Sequence, residues 1–212
     1  PVIADMGAAT GTLSAFLRRR GGTKTVVPMD ISFTLAKAVG PCAVVADEEF
    51  LPFAQNSLDA AVSNLSLHWV NDLPGALAQI RRALKPDGLF LATLLGRETL
   101  RELRDCLMEA ELKVSGGASP RVSPFVDLRD MAGLLQRAGF ALPVADNETV
   151  TVEYGDIFSL MRDVRGMGAA NTAHHRRAFF APRRLFFEAA EIYQKKYGGV
   201  NGRIPATFEI IH

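Results

Sequence analysis

The sequence predicts an α/β fold with a doubly wound, mostly parallel sheet and a C-terminal helical insertion before the last strand. Short apolar runs alternate with segments of helical periodicity, a pattern typical of βαβ units. A glycine-containing turn follows the first apolar run and precedes a helical segment, as it does at the ligand-binding turn of such folds. After residue 155, two helical segments follow one another before a final β-branched run.

Seven apolar or β-branched runs predict the strands of this sheet. They are residues 2–5, 25–30, 43–46, 58–64, 89–95, 149–153 and 207–211. Helical periodicity and turn residues predict helices at residues 12–20, 33–38, 73–84, 98–112, 128–138, 156–164 and 183–197. A Pro/Gly breaker at residues 85–88 separates the third helix from the fifth strand.

The chain length of 212 residues suits one domain with an elaboration. We therefore predict a single domain over residues 1–212, with a cofactor-binding core at residues 1–95. The remainder, residues 96–212, would form a substrate-binding or lid half that carries the helical insertion at about residues 156–200. Because residues 2–5 already read as a core strand, we expect that an N-terminal segment is missing, together with any targeting signal in it.

Composition restricts the class of partner. The net charge of +1 gives no electrostatic reason to expect nucleic acid or a membrane surface as a partner. No apolar run approaches the ~20 residues of a membrane-spanning helix, so we expect no membrane span. Cys42 and Cys106 lack the spacing of a disulfide framework or a zinc site, and we interpret them as reduced thiols.

The most informative local signal is the glycine-containing turn at residues 5–11, between the first strand and the first helix. Gly7 allows a tight turn, and Gly11 lets a ligand approach the backbone at the helix N-terminus. Asp30 ends the second strand, where a carboxylate can accept both ribose hydroxyls of a nucleoside. Ala9 stands where a dinucleotide motif has its middle glycine, so a nucleoside site is favoured. A purely structural turn is the alternative.

Polar residues also follow the third and fourth strands. Asp47 lies just past the third strand and could accept the adenine amino group, or it could belong to a solvated acidic turn. His68 and Trp69 follow the fourth strand, beside the switch point of the sheet. His68 could be a base or a substrate contact, and Trp69 could cover a cofactor or face a cation. The alternative is that Trp69 fills the core and His68 is its polar neighbour.

Together these motifs resemble those of the class I S-adenosylmethionine (SAM)-dependent methyltransferases over residues 3–95. The matching segments share their spacing with that family and are residues 5–11, 30–32, 46–53, 58–63 and 84–88. Further segments resemble the family of assembly factor 5 of respiratory complex I and its bacterial relatives. They are residues 46–53, 65–74, 123–125, 137–140, 166–168 and 205–207. More distantly, the chain resembles the biotin-pathway enzyme that methylates malonyl-acyl carrier protein.

The resemblance implies a SAM site in a Rossmann-like class I methyltransferase fold. Asp5, Gly7, Ala9 and Gly11 would lie around the methionine part of SAM, and the family usually has glycine at the position of Ala9. Asp30 would hold the ribose.

The remaining cofactor contacts follow from the same resemblance. Ile31 would pack on the adenine, and Asp47 and Glu48 would lie at the adenine edge. The backbone of Asn64 and Leu65 would approach the amino-acid group of SAM.

The catalytic group is left open, with His68 as the candidate and Trp69 beside it as a substrate or lid residue. We expect no metal, because no histidine is paired with a carboxylate in a recognisable ligand spacing. The histidines are His68, His174, His175 and His212.

Short basic clusters at residues 18–20, 174–177 and 183–184 are interpreted as solvated helix ends. The alternative is a docking surface for a protein substrate. Aromatic pairs at residues 179–180 and 186–187 are interpreted as core or lid packing.

Three functions remain open. The first is a methyltransferase acting on a small molecule or an acyl group bound to a carrier. The second, implied by the assembly-factor resemblance, is a SAM-binding protein that hydroxylates an arginine of a complex I subunit. The third is a SAM-binding assembly scaffold without chemistry. The resemblance implies the cytoplasm for a bacterial protein and the mitochondrial matrix for a eukaryotic one; the sequence predicts no oligomeric state. The short glycine motif disfavours a nicotinamide-dependent dehydrogenase.

Overall fold

The computed structural model describes residues 1–20, 25–117, 121–122, 125–168 and 182–212. The described strands are β1 (Val2–Met6), β2 (Thr25–Asp30), β3 (Val44–Val45), β4 (Leu58–Asn64), β5 (Leu84–Leu95), β6 (Asn147–Tyr154) and β7 (Ile204–Ile211). The described helices are α1 (Thr12–Arg19), α2 (Phe33–Val39), α3 (Leu73–Ala83), α4 (Arg101–Ser115), α5 (Leu128–Arg137), α6 (Ile157–Gly166) and α7 (Arg183–Tyr197). The basic cluster at residues 174–177 and the aromatic pair at 179–180 lie outside the described residues.

The described strands form one sheet in the order β3-β2-β1-β4-β5-β7-β6. The pairs β1–β2, β2–β3, β1–β4 and β4–β5 are parallel. The chain runs outward from β1 to β3 and then crosses back, so that β4 pairs on the other side of β1. The switch point therefore lies between β1 and β4, and the carboxyl ends of those strands flank the crevice where such folds bind ligands. The predicted doubly wound, mostly parallel fold is confirmed.

The fifth strand begins earlier than the sequence predicts, because the predicted breaker at residues 85–88 lies within the strand as an irregularity. Leu58 pairs with Leu84 and Ala60 pairs with Leu89, so residues 85–88 lie opposite the single residue Asp59 and β5 carries three extra residues. Asp87 has a φ of 59°, a left-handed conformation that such an irregularity can hold. Proline is tolerated in a strand at this kind of position.

The fourth helix begins later than predicted, at Arg101 rather than at residue 98. The backbone N–H of Gly96 donates to the carbonyl of Glu209 at 2.9 Å, and the N–H of Glu98 donates to the Glu209 carboxylate at 2.9 Å. Leu100 then has a left-handed φ of 54°. These bonds hold residues 96–98 beside β7, so the helix starts only after them.

The described residues divide into two compact units, each with its own core. The first unit consists of Pro1–Leu95, Val126–Asn147 and Ile211–His212. Its core packs Met6 of β1 with Leu77 of α3 and Met131 of α5, all of them buried. Burial of such side chains contributes about 1.5–3 kcal/mol each relative to exposure. This unit contains every residue that the sequence predicts for the cofactor site.

The second unit consists of Gly96–Phe125 and Glu148–Ile210. Its core joins α4 and α7 through buried side chains that include Cys106 and Leu185. The hydroxyl of Tyr193, which is fully buried, donates to the carbonyl of Pro205 at 2.7 Å. Helices α6 and α7 confirm the helical segments predicted before the last strand. In the described part of the chain, no helix is long and apolar enough to cross a membrane.

Candidate cofactor site

The turn after β1 is built from left-handed residues. Gly7, Ala9 and Gly11 have φ values of 63°, 45° and 75°. Glycine adopts such angles without strain, whereas an L-residue pays roughly 1–2 kcal/mol, so Ala9 is strained where the resemblance expects glycine. The N–H of Ala8 donates to the carbonyl of Met29 at 2.8 Å, which fixes the turn against the end of β2.

Three segments meet at Gly7. A Cβ added there would overlap the side chain of Ser66, which follows β4, and would lie 2.9 Å from Oε1 of Glu48, which follows β3. The side chains of Ser66 and Glu48 therefore pack directly against the backbone of Gly7, and a residue with a Cβ does not fit there.

Asp30 fixes the turn from the end of β2. Its carboxylate accepts the backbone N–H of Ala9 at 2.9 Å and that of Ser32 at 2.8 Å, and the side chain is buried. An ionised carboxylate has about four acceptor positions, so two remain for hydroxyl groups of a ligand. The ribose contact stays a prediction, and the structure adds a positioning role that the sequence did not indicate.

Asp5 is buried beneath the turn. Its carboxylate accepts the Ser14 hydroxyl of α1 at 2.5 Å. Burial raises the pKa of Asp5, and the hydrogen bonds from Ser14 oppose that rise. Asp5 therefore ties β1 to α1 within the protein, while its predicted contact with the methionine part of SAM stays a prediction.

The loop after β3 is held by its own side chains. Asp47 accepts the N–H of Glu49 at 2.9 Å, and Glu48 is buried and accepts the hydroxyl of Ser66. Burial raises the pKa of Glu48; the charges of Asp30 and Asp47 add to the rise, and the Ser66 hydrogen bond opposes it. Three carboxylates thus lie near one another at this edge of the sheet.

Glu49 and Gln79 anchor the same loop, which sequence reasoning missed. The Glu49 carboxylate accepts the backbone N–H of Asn71 at 2.5 Å and its amide Nδ2 at 3.0 Å. The Gln79 amide of α3 donates to the carbonyl of Glu49 at 2.6 Å and accepts the N–H of Leu51 at 3.0 Å. These bonds span 22 to 30 positions of sequence, so no local pattern predicts them.

Exposed apolar side chains stand beside the carboxylates. Ile31, directly after Asp30, is 65% exposed, and Phe50, after Asp47, is 77% exposed. Large apolar side chains exposed at a ligand-binding edge are suited to packing on a flat ring. The contact of Ile31 with adenine stays a prediction, and Phe50 is an additional candidate for it.

The end of β4 is tied to β5. The N–H of Leu65, whose φ is 55°, donates to the carbonyl of Thr93 at 2.9 Å. The Thr93 hydroxyl donates to Oδ1 of Asn64 at 2.7 Å. The left-handed turn at Leu65 directs the chain toward Ser66 and the space beside Gly7. The predicted approach of this backbone to the amino-acid group of SAM stays a prediction.

His68 and Trp69 form a 3₁₀ turn after β4 with Leu67, which is fully buried. The His68 ring accepts the N–H of Leu95 on Nδ1 at 3.4 Å and lies 4.7 Å from the Trp69 ring, centroid to centroid. An acceptor at Nδ1 leaves the proton on Nε2, which is then a donor. The Nε2–H could donate to a substrate, and the role of His68 as a base or a substrate contact stays a prediction. Trp69 is partly exposed.

The charge state of His68 makes a testable difference to stability. Burial lowers the pKa of His68 to about 4, below its ordinary value of 6.5. The unfolded chain therefore binds a proton first, and the contribution of the neutral ring is lost as the pH falls from 6.5 toward 4. We expect urea unfolding to show that the free energy of unfolding falls over this pH range. In His68→Gln the slope of that free energy against pH should be smaller, by an amount equivalent to up to about one bound proton. Superimposable pH profiles of the two proteins would contradict the buried, neutral ring.

An open cavity of about 560 Å³ lies elsewhere in the first unit, where β4 and β5 face α1 and α5. Its lining is largely apolar and includes Phe16, Leu91 and Val144. Of the candidate cofactor residues, Asn64 lines it. Asp30, Asp47 and Glu48 do not belong to this lining, so the cavity and the candidate cofactor site share Asn64 but not these carboxylates.

The described residues contain no group of three or more histidine, cysteine, aspartate or glutamate side chains placed to hold a metal ion. His174 and His175 lie outside the described residues. The residues that the structure does bring together suit a nucleoside cofactor: a tight glycine turn, a carboxylate at the end of β2 and exposed apolar side chains beside it.

Comparison with known proteins identifies the class. A profile of the family described as methyltransferase domain matches residues 4–92. The malonyl-[acyl-carrier protein] O-methyltransferase of Methylovorus sp. (strain MP688) is 34% identical over 99% of this chain and 73% of its own length. The chain therefore belongs to the class I SAM-dependent methyltransferase family.

Within that class, the chain is similar to the mitochondrial arginine-hydroxylase NDUFAF5. The human protein is 41% identical over 100% of this chain and 62% of its own length. The Danio rerio protein is 47% identical over 80% of this chain and 52% of its own length. The chain thus spans between half and two thirds of the length of these hydroxylases. Both groups of relatives carry the names of enzymes, which supports an enzymatic role.

Solved structures show the same fold. The BH2331 protein of Bacillus halodurans C-125 superposes with a TM-score of 0.65 at 17% identity, over 99% of this chain and 89% of its own. An S-adenosylmethionine dependent methyltransferase from Mesorhizobium loti has a TM-score of 0.55 at 16% identity, over 99% of this chain and 90% of its own. At this identity the likeness establishes the fold.

Proposed function

We propose that this chain is the cofactor-binding part of a SAM-using enzyme that modifies an arginine side chain of a protein, a subunit of respiratory complex I. The observation that carries the proposal is the 41% identity to the human arginine hydroxylase over the whole chain. That sequence similarity includes the second unit. A shared fold alone does not require similar sequences there. The setting would be the mitochondrial matrix, or the cytoplasm for a bacterial protein.

The site supports the use of SAM. Asp30 would hold the ribose, Ile31 and Phe50 would pack on the adenine, and the turn at Gly7 would admit the methionine part. When bound, SAM supplies an activated methyl group on a sulfonium. For such a cofactor the protein mainly aligns the acceptor and excludes water. Of these residues, Asp30 is held in place by the hydrogen bonds that its carboxylate accepts from the backbone N–H groups of Ala9 and Ser32.

Two reactions are compatible with this site. Hydroxylation converts a C–H bond of arginine into C–OH, with one oxygen atom from dioxygen and the other reduced to water by two electrons from an added reductant. Methyl transfer breaks the sulfur–methyl bond, forms a bond between that carbon and a nucleophile, and leaves the neutral thioether. The second reaction is supported by the Methylovorus malonyl-[acyl-carrier protein] O-methyltransferase, which is 34% identical over 99% of this chain.

Mass spectrometry of the substrate distinguishes the two reactions. The protein would be incubated with SAM, isotopically labelled dioxygen, a reductant and either complex I subunits or malonyl-acyl carrier protein. We expect an arginine of a complex I subunit to gain one labelled oxygen atom. Asp30→Ala, run in parallel, should give no product.

A methyl group gained by the carrier-bound malonyl group would replace this proposal with the second reaction. Stable binding of a complex I subunit without any change of mass would instead indicate an assembly scaffold. Failure of calorimetric titration to detect SAM binding would reject all three functions, because each of them uses the cofactor.

A further inference from the structure

Glu48 is the most buried carboxylate of the loop after β3, and it points toward the glycine turn. It is 9% exposed, and it accepts a hydrogen bond from the hydroxyl of Ser66. Its Oε1 lies 2.9 Å from the position that a Cβ of Gly7 would occupy. A carboxylate is thus held directly beside the turn that would receive the methionine part of SAM, whereas the family pattern implies the adenine edge for Glu48.

The methionine part of SAM carries a positive sulfonium, which becomes a neutral thioether when the methyl group leaves. Substrate and product cofactors share their adenine, ribose and amino-acid groups, so contacts to those groups hold both equally. The two differ in the methyl group and in the charge on sulfur, so a group that responds to the sulfonium charge can discriminate between them. We propose that Glu48 is this group and makes the site selective for SAM over S-adenosylhomocysteine. The inference rests on the proposed use of SAM.

The surroundings of Glu48 favour such a role. Burial raises the pKa of Glu48, the Ser66 hydrogen bond opposes this rise, and the charges of Asp30 and Asp47 add to it. The ionised form of Glu48 is therefore electrostatically destabilised when no cation is near, and a nearby sulfonium would stabilise it. Because the carboxylate is buried, the attraction is screened less by water and salt than a surface ion pair would be. The neutral thioether of S-adenosylhomocysteine would not stabilise the ionised carboxylate in this way.

Asp47 provides a matched control. It precedes Glu48 in the chain, and its carboxylate accepts the N–H of Glu49 at 2.9 Å. The family pattern assigns it to the adenine, a group that SAM and S-adenosylhomocysteine share. Asp47→Asn should therefore weaken both cofactors in parallel, whereas Glu48→Gln should weaken SAM selectively.

The test is calorimetric titration of the full chain with SAM, S-adenosylhomocysteine and sinefungin, whose amine is protonated near the sulfonium position. We expect Glu48→Gln to lower the ratio of SAM affinity to S-adenosylhomocysteine affinity about tenfold. The ratio of sinefungin affinity to S-adenosylhomocysteine affinity should fall by a similar factor. Glu48→Asp, which keeps the charge, should retain most of the preference. Thermal unfolding of each variant identifies any that fails to fold. If Glu48→Gln does not fold, the affinity ratios of Glu48→Asp and Asp47→Asn are compared instead.

Each outcome decides the inference. An unchanged ratio of affinities in Glu48→Gln, with native SAM binding by the unsubstituted protein, would overturn the role of Glu48 and leave the proposed function intact. An equal loss of ratio in Asp47→Asn would assign selectivity to the general negative charge of the loop and also overturn it. No binding of SAM to the unsubstituted protein would overturn the proposed function together with the inference.

Discussion

Replacing Gly7 with alanine is expected to abolish measurable SAM binding and to destabilise the fold. Gly7 has a φ of 63°, which costs an L-residue roughly 1–2 kcal/mol. The added Cβ would also overlap the Ser66 side chain and approach Glu48. Relief of this overlap requires both side chains to leave their positions, so the turn loses its shape together with its neighbours. Calorimetric titration with SAM and urea unfolding measure the two effects.

Gly116→Ala is the matched control for this substitution. Gly116 has a nearly identical φ of 66°, but a Cβ there would meet no atom of the described residues within 4 Å. It lies in the second unit, at the end of α4. Its replacement should lower stability by the backbone strain alone, roughly 1–2 kcal/mol, and should leave SAM affinity unchanged. Equal SAM affinities of the two alanine variants would contradict the placement of the site at Gly7.

Asp30→Ala is expected to weaken SAM binding by about 100-fold or more, because hydrogen bonds from ligand hydroxyls to a carboxylate contribute roughly 1.5–3 kcal/mol each. The substitution also removes the acceptor for the N–H groups of Ala9 and Ser32, so the turn itself loosens. Asp30→Asn keeps one acceptor oxygen in the same shape and should give an intermediate affinity. Isothermal titration of the three proteins with SAM tests this order.

Asp59→Ala separates a local loss of ligand contacts from general destabilisation. The Asp59 carboxylate likewise accepts a backbone N–H, that of Val2 at 2.7 Å, and pairs with Lys85 at 2.8 Å. It stands near the beginning of β4, at the opposite edge of the sheet from the turn. SAM affinity should survive its removal; a loss as large as that of Asp30→Ala would indicate that both act through stability.

Much of the fold and the position of the site could be predicted from sequence because both depend on local patterns. Strand periodicity and the turn residues Gly7 and Gly11 determine where β1 ends and α1 begins. Asp30 could be predicted as a candidate site residue from its position at the end of β2. The carboxyl ends of parallel strands then bring these residues to one edge, whatever the details of packing.

Contacts between distant residues could not be predicted in this way. The hydrogen bond from the Leu95 N–H to His68 joins residues 27 positions apart, and its acceptor is Nδ1 of the His68 ring. Glu48 and Ser66, 18 positions apart, pair only because the loops after β3 and β4 meet above the turn. The irregularity in β5 likewise depends on its pairing with β4, since residues 85–88 alone read as a simple breaker.

The carboxylates of Asp5, Asp30 and Glu48 each accept a hydrogen bond from a different part of the first unit. Their side chains are thus preorganised: the conformational entropy of ordering them is lost once, when the chain folds. A ligand that arrives at this edge meets groups already in place, so its affinity depends on how well its shape and charge match them rather than on the free energy of rearranging the protein.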